Sequence, residues 1–257
     1  MPKPDQTLTA AQANAAPTTD RLVEMLRCPR SRSRLAVTPD GSLVSADGRH
    51  RYPVVAGFPD FRLFDAPYAD RVEERRRVDL LTAAEPRLSF DDLVRYYETE
   101  ILTGRPADRV RRSIEHRLTQ KRRSVRRLGQ LFEIMEITPS MLAGPAGAVL
   151  DLGCGSGETL EALARISGGP VAGIDISLEE LVLARKRLAE ERTDAVLIAA
   201  CAEALPVADG SFGFILSTDV IEHVADQRDY LLETRRVLAP GGKVLLNSPN
   251  RFSAVSP

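Results

Sequence analysis

The sequence contains no tryptophan, only three cysteines, and aromatic residues at 5% of 257 positions. Cys28, Cys154 and Cys201 are odd in number and far apart, so they offer neither a disulfide framework nor a metal-ligand spacing. No apolar run approaches the roughly 18 residues that a membrane helix requires. The longest, residues 195–202, has the length of a strand. Residues 1–20 lack the basic start and apolar centre of a secretory signal, and their Ala, Thr, Pro and Gln read as a disordered tail. These absences lead to a cytoplasmic expectation with no membrane contact. Charge of one sign is also lacking, since the net formal charge is −1. That balance conceals a local excess: residues 105–127 hold 10 Lys/Arg against 2 Asp/Glu, leaving 25 basic and 34 acidic residues elsewhere.

What is present is a globular composition, 43% hydrophobic and 28% charged, in a length that fits one or two domains. Residues 21–27 read as a short helix. Turn signals at Pro39-Asp40-Gly41 and Asp47-Gly48, the run Tyr52-Pro53-Val54-Val55, and the turn at Gly57-Phe58-Pro59 then mark a small β-rich module, 21–64. Residues 65–145 are polar and mostly helical, with breakers at Pro67, Pro86 and Gly104-Arg105-Pro106. Within them Val110, Ile114, Leu118, Val125, Leu128, Phe132 and Met135 fall on one face of a long helix over 107–136. Residues 141–145 form a linker. From 146 to 257 the pattern becomes α/β. Strands are predicted at 148–152, 171–176, 195–200, 212–218 and 243–248, and helices at 158–166, 178–192 and 227–238. Pro240-Gly241-Gly242 ends the last helix. Such alternation predicts a parallel sheet with helices on both faces.

The sharpest local signal is Val149-Leu150-Asp151-Leu152-Gly153-Cys154-Gly155-Ser156-Gly157-Glu158. Glycines between a strand and a helix let the backbone approach a ligand and leave N–H groups at a helix start. A dinucleotide fingerprint would place Gly or Ala where Glu158 stands, and an acidic side chain there faces a pyrophosphate unfavourably. The second signal is Gly173-Ile174-Asp175-Ile176-Ser177. A carboxylate about 20 residues past the glycine loop is placed to accept the hydroxyls of a ribose, while Ser177 suits the N-cap of the following helix.

Together with Cys201-Ala202-Glu203-Ala204-Leu205-Pro206, Asp209-Gly210-Ser211-Phe212, the segment 217–224 and Arg236-Val237-Leu238-Ala239-Pro240-Gly241-Gly242, these motifs resemble the class I S-adenosylmethionine-dependent methyltransferases, in particular the ubiquinone/menaquinone-type branch. The resemblance implies a Rossmann-like methyltransferase fold and S-adenosylmethionine as cofactor, with S-adenosylhomocysteine as product and no metal. It assigns cofactor binding to Asp151, Gly153, Cys154, Gly155 and Gly157 on the glycine loop, to Asp175 and Ile176, to Ala202 and Glu203 beside the adenine, and to Ser217. It also sets Ser217-Thr218-Asp219-Val220-Ile221-Glu222-His223-Val224 beside the transferred methyl, making Asp219 and His223 the catalytic candidates. His223 is suited to take a proton from an oxygen or nitrogen nucleophile, and the same residue in such a segment also serves to hold the loop. Cys201 departs from the pattern, replacing the Asp that accepts the adenine amino group, at a cost on the order of 1 kcal/mol for one lost hydrogen bond.

The module 21–64 resembles the small zinc-ribbon-like activator domain of methyltransferases, through Cys28-Pro29, Tyr52-Pro53-Val54 and Gly57-Phe58-Pro59. Ser31, Ser45 and Gly48 stand where three zinc-binding cysteines would, so this module is expected to fold without metal. Residues 65–145 are expected to act as a helical lid over the acceptor. Its arginines are read as a solvated face in preference to a nucleic-acid track, since no aromatic residues interleave them. The family sheet has seven strands, and residues 146–257 supply five, the last two strands lacking. An open fifth-strand edge invites a homodimer, alongside a truncated gene or a remnant without turnover. The leading expectation is methyl transfer to a small-molecule acceptor. A non-catalytic partner subunit and an RNA methyltransferase are the alternatives.

Overall fold

A computed structural model describes residues 24–64, 70–138, 141–142 and 147–249, with the side chains of 120–125 excepted. The tail 1–20, the first three residues of the helix expected at 21–27, and part of the linker 141–145 lie outside these residues; the described remainder of that segment is helical only at Glu24, because Leu26 pairs antiparallel with Val207 and the Arg27 N–H donates to the Pro206 carbonyl. Strands β1 (Leu35–Val37), β2 (Leu43–Ser45) and β3 (Arg51–Tyr52) make an antiparallel sheet, and β4 (Val54–Val55) and β5 (Phe58–Pro59) a hairpin. Helices α1 (Arg71–Ala84) and α2 (Phe90–Tyr96) follow, the second running into a π-turn at Tyr97–Ile101. The long helix α3 spans Ala107–Ile134, as the apolar spacing predicts. The remainder alternates: β6 (Val149–Leu152), α4 (Glu158–Ser167), β7 (Val171–Asp175), α5 (Leu178–Glu190), β8 (Val196–Ala199), β9 (Phe212–Thr218), α6 (Gln227–Val237) and β10 (Leu238–Asn247). Side-chain oxygens cap four of the helices: Asp70 for α1, Ser89 for α2, Ser177 for α5 and Asp226 for α6.

The large sheet is parallel throughout, in the order β10-β9-β6-β7-β8. This is the α/β, doubly wound arrangement that the alternation predicts. Successive residues of each strand enter opposite cores. Val149, Val171, Phe214 and Leu216 join α1 to α5, whereas Leu150, Ala172, Ile174 and Ile215 join Tyr230 and Val237 of α6. The second core also takes in Leu26, Cys28, Tyr52 and Phe61, so the small module covers a face of the large sheet. Tyr52 and Phe61 stack at 4.9 Å between ring centroids, and the Phe61 N–H donates to the Ala199 carbonyl at 2.8 Å, extending the sheet beside β8. At the opposite edge, β10 leaves Val244 and Leu246 partly exposed.

One boundary differs from expectation. Pro240-Gly241-Gly242 does not separate the last helix from its strand. β10 begins at Leu238, immediately after α6, and the register against β9 shifts between Leu238 and Lys243, with Gly241 at φ +77°. The break lies inside the strand as a bulge, because a left-handed glycine lets extra residues loop out while pairing resumes.

In the small module, the Cys28 thiol lies 3.1 Å from the Tyr52 hydroxyl and accepts the Ser31 N–H at 3.3 Å. The Ser45 hydroxyl donates to Asp47 and accepts the His50 N–H, and Gly48 takes φ +69° in the turn between them. Among the described residues, no cluster of His, Cys, Asp or Glu is arranged to hold a metal ion, and no helix is long and apolar enough to cross a membrane.

Phe214 is fully buried and meets Phe132 edge-on at 5.9 Å, which ties α3 to the sheet. Phe214→Ala is expected to destabilise the protein by about 3–5 kcal/mol in urea unfolding. A loss under about 1 kcal/mol would mean that α3 does not pack there.

Candidate functional site

The site forms where the parallel strands end and the chain changes direction. β6 and β7 lead through α4 and α5 on one side of the sheet, while β9 lies on the other side of β6. The crevice between them is the usual ligand position in such sheets. β6 exits into the glycine loop. Gly153 has φ +81°, and a Cβ there would lie 2.2 Å from Val220 Cγ2, so only glycine lets the loop after β9 come this close. Gly157, at φ +83°, serves packing, since its Cβ would press on Ala184 of α5 at 3.2 Å.

Asp175, the last residue of β7, ties the loop down. One carboxylate oxygen accepts the Gly155 N–H at 2.8 Å and the other the Ser177 N–H at 2.9 Å. Burial pushes its pKa up to about 6, against the stabilising effect of these bonds. Asp151 is 1% exposed and lies beneath the loop, where Oδ2 accepts the Thr159 hydroxyl at 2.6 Å and Oδ1 has no partner among the described residues. Burial first, and the nearby Glu158 and Asp175 carboxylates after it, raise its pKa to about 7, with the Thr159 bond opposing.

Two cavities meet at this loop, sharing Gly153 and Asp219. The first, about 160 Å³, runs past Asp175 and Ile176 into a mostly apolar slot formed by Cys201, Ala202, Val220 and Phe64. His223 and Glu203 also line it. The second, about 380 Å³, lies beneath α3. Cys154, Gly155, Glu158 and Thr159 form one wall, and His116, Arg117, Arg127 and Leu131 the other. The arginine-rich helix therefore roofs this cavity.

The residues singled out from sequence separate into four groups. Gly153, Asp175, Ile176, Ala202, Glu203, Asp219 and His223 are brought together around the first cavity, and Cys154 and Gly155 around the second. Asp151 and Gly157 support the loop from behind. Ser217 reaches neither cavity: it is 1% exposed and its hydroxyl donates to the Leu152 carbonyl at 3.0 Å, joining β9 to β6. The Glu203 carboxylate also has a structural bond, accepting the Ala225 N–H at 2.7 Å and fixing the loop that carries His223. Cys201 turns its thiol to the Phe64 carbonyl, 3.7 Å away, and burial raises its pKa. Asp219 takes a left-handed backbone, φ +56°. Its N–H donates to the Asn247 carbonyl at 2.9 Å, and the Asn247 amide donates to its Oδ1 at 3.4 Å.

Several contributors carry no local sequence signal. Arg187 on α5, 1% exposed, donates from Nε to the Ser156 carbonyl at 2.8 Å and lies 4.0 Å from the Phe90 ring centroid, which fixes the loop to the helical layer. Arg62 holds Asp60 and Glu74 and donates to the Ile176 carbonyl at 3.0 Å. Arg117 grips Glu180 through both terminal nitrogens, at 2.9 and 2.6 Å, and donates from Nε to Glu98 at 2.8 Å, latching the roof to α5. The helical face of α3 was legible in its apolar period, whereas the pairing of each arginine depends on residues remote in sequence.

The electrostatics define what this loop can hold. The Gly155 N–H that a pyrophosphate would use is already donated to Asp175, and Asp151, Glu158 and Glu180 crowd the same loop. Occupation of that N–H disfavours a phosphate at the loop, and the carboxylate oxygens leave acceptors for a ligand that brings hydroxyl donors.

Comparison with known proteins follows this geometry. An uncharacterized 37.1 kDa protein in a transposon of Streptomyces fradiae is 40% identical over 111 residues, 42% of this chain and 32% of that protein. The ubiquinone biosynthesis O-methyltransferase of Brucella anthropi is 36% identical over 103 residues, 40% of this chain and 41% of that one. This chain thus spans less than half the length of the curated relatives it matches. Among solved structures, a phosphoethanolamine N-methyltransferase of Haemonchus contortus with S-adenosylhomocysteine aligns at a TM-score of 0.37 and 32% identity, covering 38% of this chain and 23% of that one. Residues 150–246, which run from β6 into β10, match the family model described as a methyltransferase domain.

Proposed function

We propose that this chain binds S-adenosylmethionine across the two cavities and transfers its methyl group to a small-molecule acceptor admitted beneath α3. The observation that carries this reading is the Asp175 carboxylate, bonded to the glycine loop at the strand crevice, with an apolar slot on one side and an acidic loop on the other. The family match over 150–246 supports it.

Each residue then has a chemical task. Asp175 accepts the ribose hydroxyls with the lone pairs left free by its two N–H bonds. Ile176, Ala202 and Val220 enclose the adenine ring in the apolar slot, and the Ala202 backbone offers a hydrogen bond where Cys201 offers none. Gly153 and Gly155 let the backbone lie against the methionine portion. The sulfonium supplies an already activated methyl group, so the protein's contribution is mainly in-line positioning. Asp219 stands where the cavities join, and its left-handed backbone directs the loop after β9 toward that junction. His223, one turn further on, is the proposed acceptor of the proton that an oxygen or nitrogen nucleophile sheds. Arg117 holds the roof closed through Glu180.

Calorimetric titration with S-adenosylhomocysteine is expected to show saturable binding that weakens at least about tenfold in Asp175→Ala, since a carboxylate hydrogen bond contributes about 1.5–3 kcal/mol. Circular dichroism would establish that the variant is folded, and wild-type affinity in a folded variant would sink the assignment.

Two pH dependences follow from the raised carboxylates. In the roughly 4 to 7 interval the folded chain holds protons on Asp175 and Asp151 that an unfolded Asp, with a pKa near 3.9, has released. Unliganded stability contributed by this pair is therefore expected to fall as pH rises through that window. Binding needs the ionised Asp175, so affinity for S-adenosylhomocysteine is expected to rise as pH increases through about 6, with proton release on binding. Equal affinity at pH 5 and pH 7.5 would contradict this role.

A further inference from the structure

A third concavity lies between the small module and the start of α1, adjoining the first cavity at Leu63 and Phe64. It measures about 400 Å³ and is lined by Arg30, Arg49, His50, Arg51, Arg62 and Arg71, with Asp60 as its only carboxylate among the described residues. Tyr52, Pro53 and Leu63 complete the lining. Neither the glycine loop nor the proposed cofactor contacts involve this cavity.

Two of these arginines, Arg30 and Arg49, stand outside the ion pairs of the described residues. Asp60 is consumed by Arg62, which donates to both its oxygens at 2.9 Å and spends its remaining nitrogen on Glu74 and the Ile176 carbonyl. Two further acids stand nearby. Asp40 pairs with Arg51, with both side chains more than half exposed, an arrangement that holds an arginine only weakly. Asp47 accepts the Ser45 hydroxyl and the Arg49 N–H, and its charge falls near Arg49 and His50. Arg30 and Arg49 form no ion pair among the described residues, and both are exposed. A concave surface that presents the exposed guanidinium groups of Arg30 and Arg49 beside the weakly held Arg51 is a site for a polyanion, because each planar guanidinium can take two oxygens of one phosphoryl group. The size and convergence favour a small ligand. Arg111, Arg117 and Arg127 of α3 line other cavities.

We infer that this cavity binds a phosphate-bearing small molecule, with two adjacent phosphoryl groups as the best match to its arginines. Its wall is shared with the proposed cofactor site: Leu63 faces the anion cavity and the next residue, Phe64, faces the apolar slot, while Arg62 beneath them donates to Ile176. The inference does not depend on the methyltransferase reading.

The test titrates the full chain calorimetrically with inorganic pyrophosphate in moderate salt, with sulfate and a single-stranded RNA oligonucleotide as comparison probes. One-to-one pyrophosphate binding is expected, tighter than sulfate, with a Kd raised about tenfold or more in the double variant Arg30→Gln/Arg49→Gln. The thermal midpoint and the affinity for S-adenosylhomocysteine should stay unchanged, since both arginines are exposed and lie outside the cofactor slot. Absence of saturable pyrophosphate binding, or equal binding by the double variant, would overturn the inference. So would RNA that binds through the same arginines and is not displaced by pyrophosphate, which would assign the cluster to a nucleic acid. Pyrophosphate binding by a chain that ignores S-adenosylhomocysteine would leave this site standing and refute the proposed function instead.

Discussion

A parallel strand buried on both faces cannot end in a tight hairpin, and that constraint on β6 shapes everything around it. The strand has β7 and β9 as neighbours and helical or module packing above and below, so its polypeptide can leave only at the carboxyl end, over the sheet edge and into α4. The turn must bring Gly153 against Val220 and Gly157 against α5, and neither position has room for a side chain without movement of a neighbour. Once the loop is so confined, its N–H groups need acceptors. Asp175 supplies one for Gly155 from the adjacent strand end, and the two strand exits become a single unit. The crevice follows from connectivity, and its acidic character from the acceptor that the loop found.

Three arginines secure that unit from outside. Arg187 binds the loop carbonyl at Ser156, Arg62 the carbonyl at Ile176, and Arg117 the carboxylate of Glu180. Each is largely withdrawn from water and each bridges elements remote in the chain. Withdrawing a guanidinium is costly, and the cost is offset only when several acceptors surround it. Arg62 has four acceptor groups within hydrogen-bond reach counting backbone and both Asp60 oxygens separately from Glu74, and Arg117 has two carboxylates. Such sites give position more than net stability. Removing one carboxylate would leave a buried charge and loosen the wall it holds. The fold thus uses charge where an apolar contact would hold the layers together but would not orient backbone carbonyls.

The parts of this arrangement that sequence made legible are those with a short-range cause. Gly153, Asp175 and the 3.6-residue period of α3 each state a local backbone or packing need, and the structure brings the two residues to the crevice and the helix over it. Ser217 shows the ambiguity of a small polar residue at a strand end, which suits a ligand and a strand-to-strand bond equally; here its hydroxyl donates to the Leu152 carbonyl. The Pro240-Gly241-Gly242 stop was misread because the same residues that end a helix also permit a bulge. Arg187, Phe64 and Asn247 could not be picked out, since nothing within several residues of any of them indicates its partner. The same holds for the small module. Its turns were legible, but its burial of Cys28, Tyr52 and Phe61 against the large sheet rests on contacts more than a hundred residues apart in sequence.

Asp219 shows how the last strand reaches the site. A non-glycine residue at φ +56° is held there by surrounding structure, at a cost on the order of 1–3 kcal/mol for a strained backbone. Asn247 at the end of β10 provides the hold, accepting the Asp219 N–H and donating to its carboxylate. That pairing exists only because β10 regains register with β9 after its bulge, so that Asn247 comes opposite Thr218. The bulge, the register and the strained backbone therefore form one chain of cause. It starts at Gly241, in the bulge, and ends at Asp219, one of the two residues common to both cavities. A sheet edge in this fold is part of the site's geometry, and a change in how β10 is covered would be felt first at Asp219.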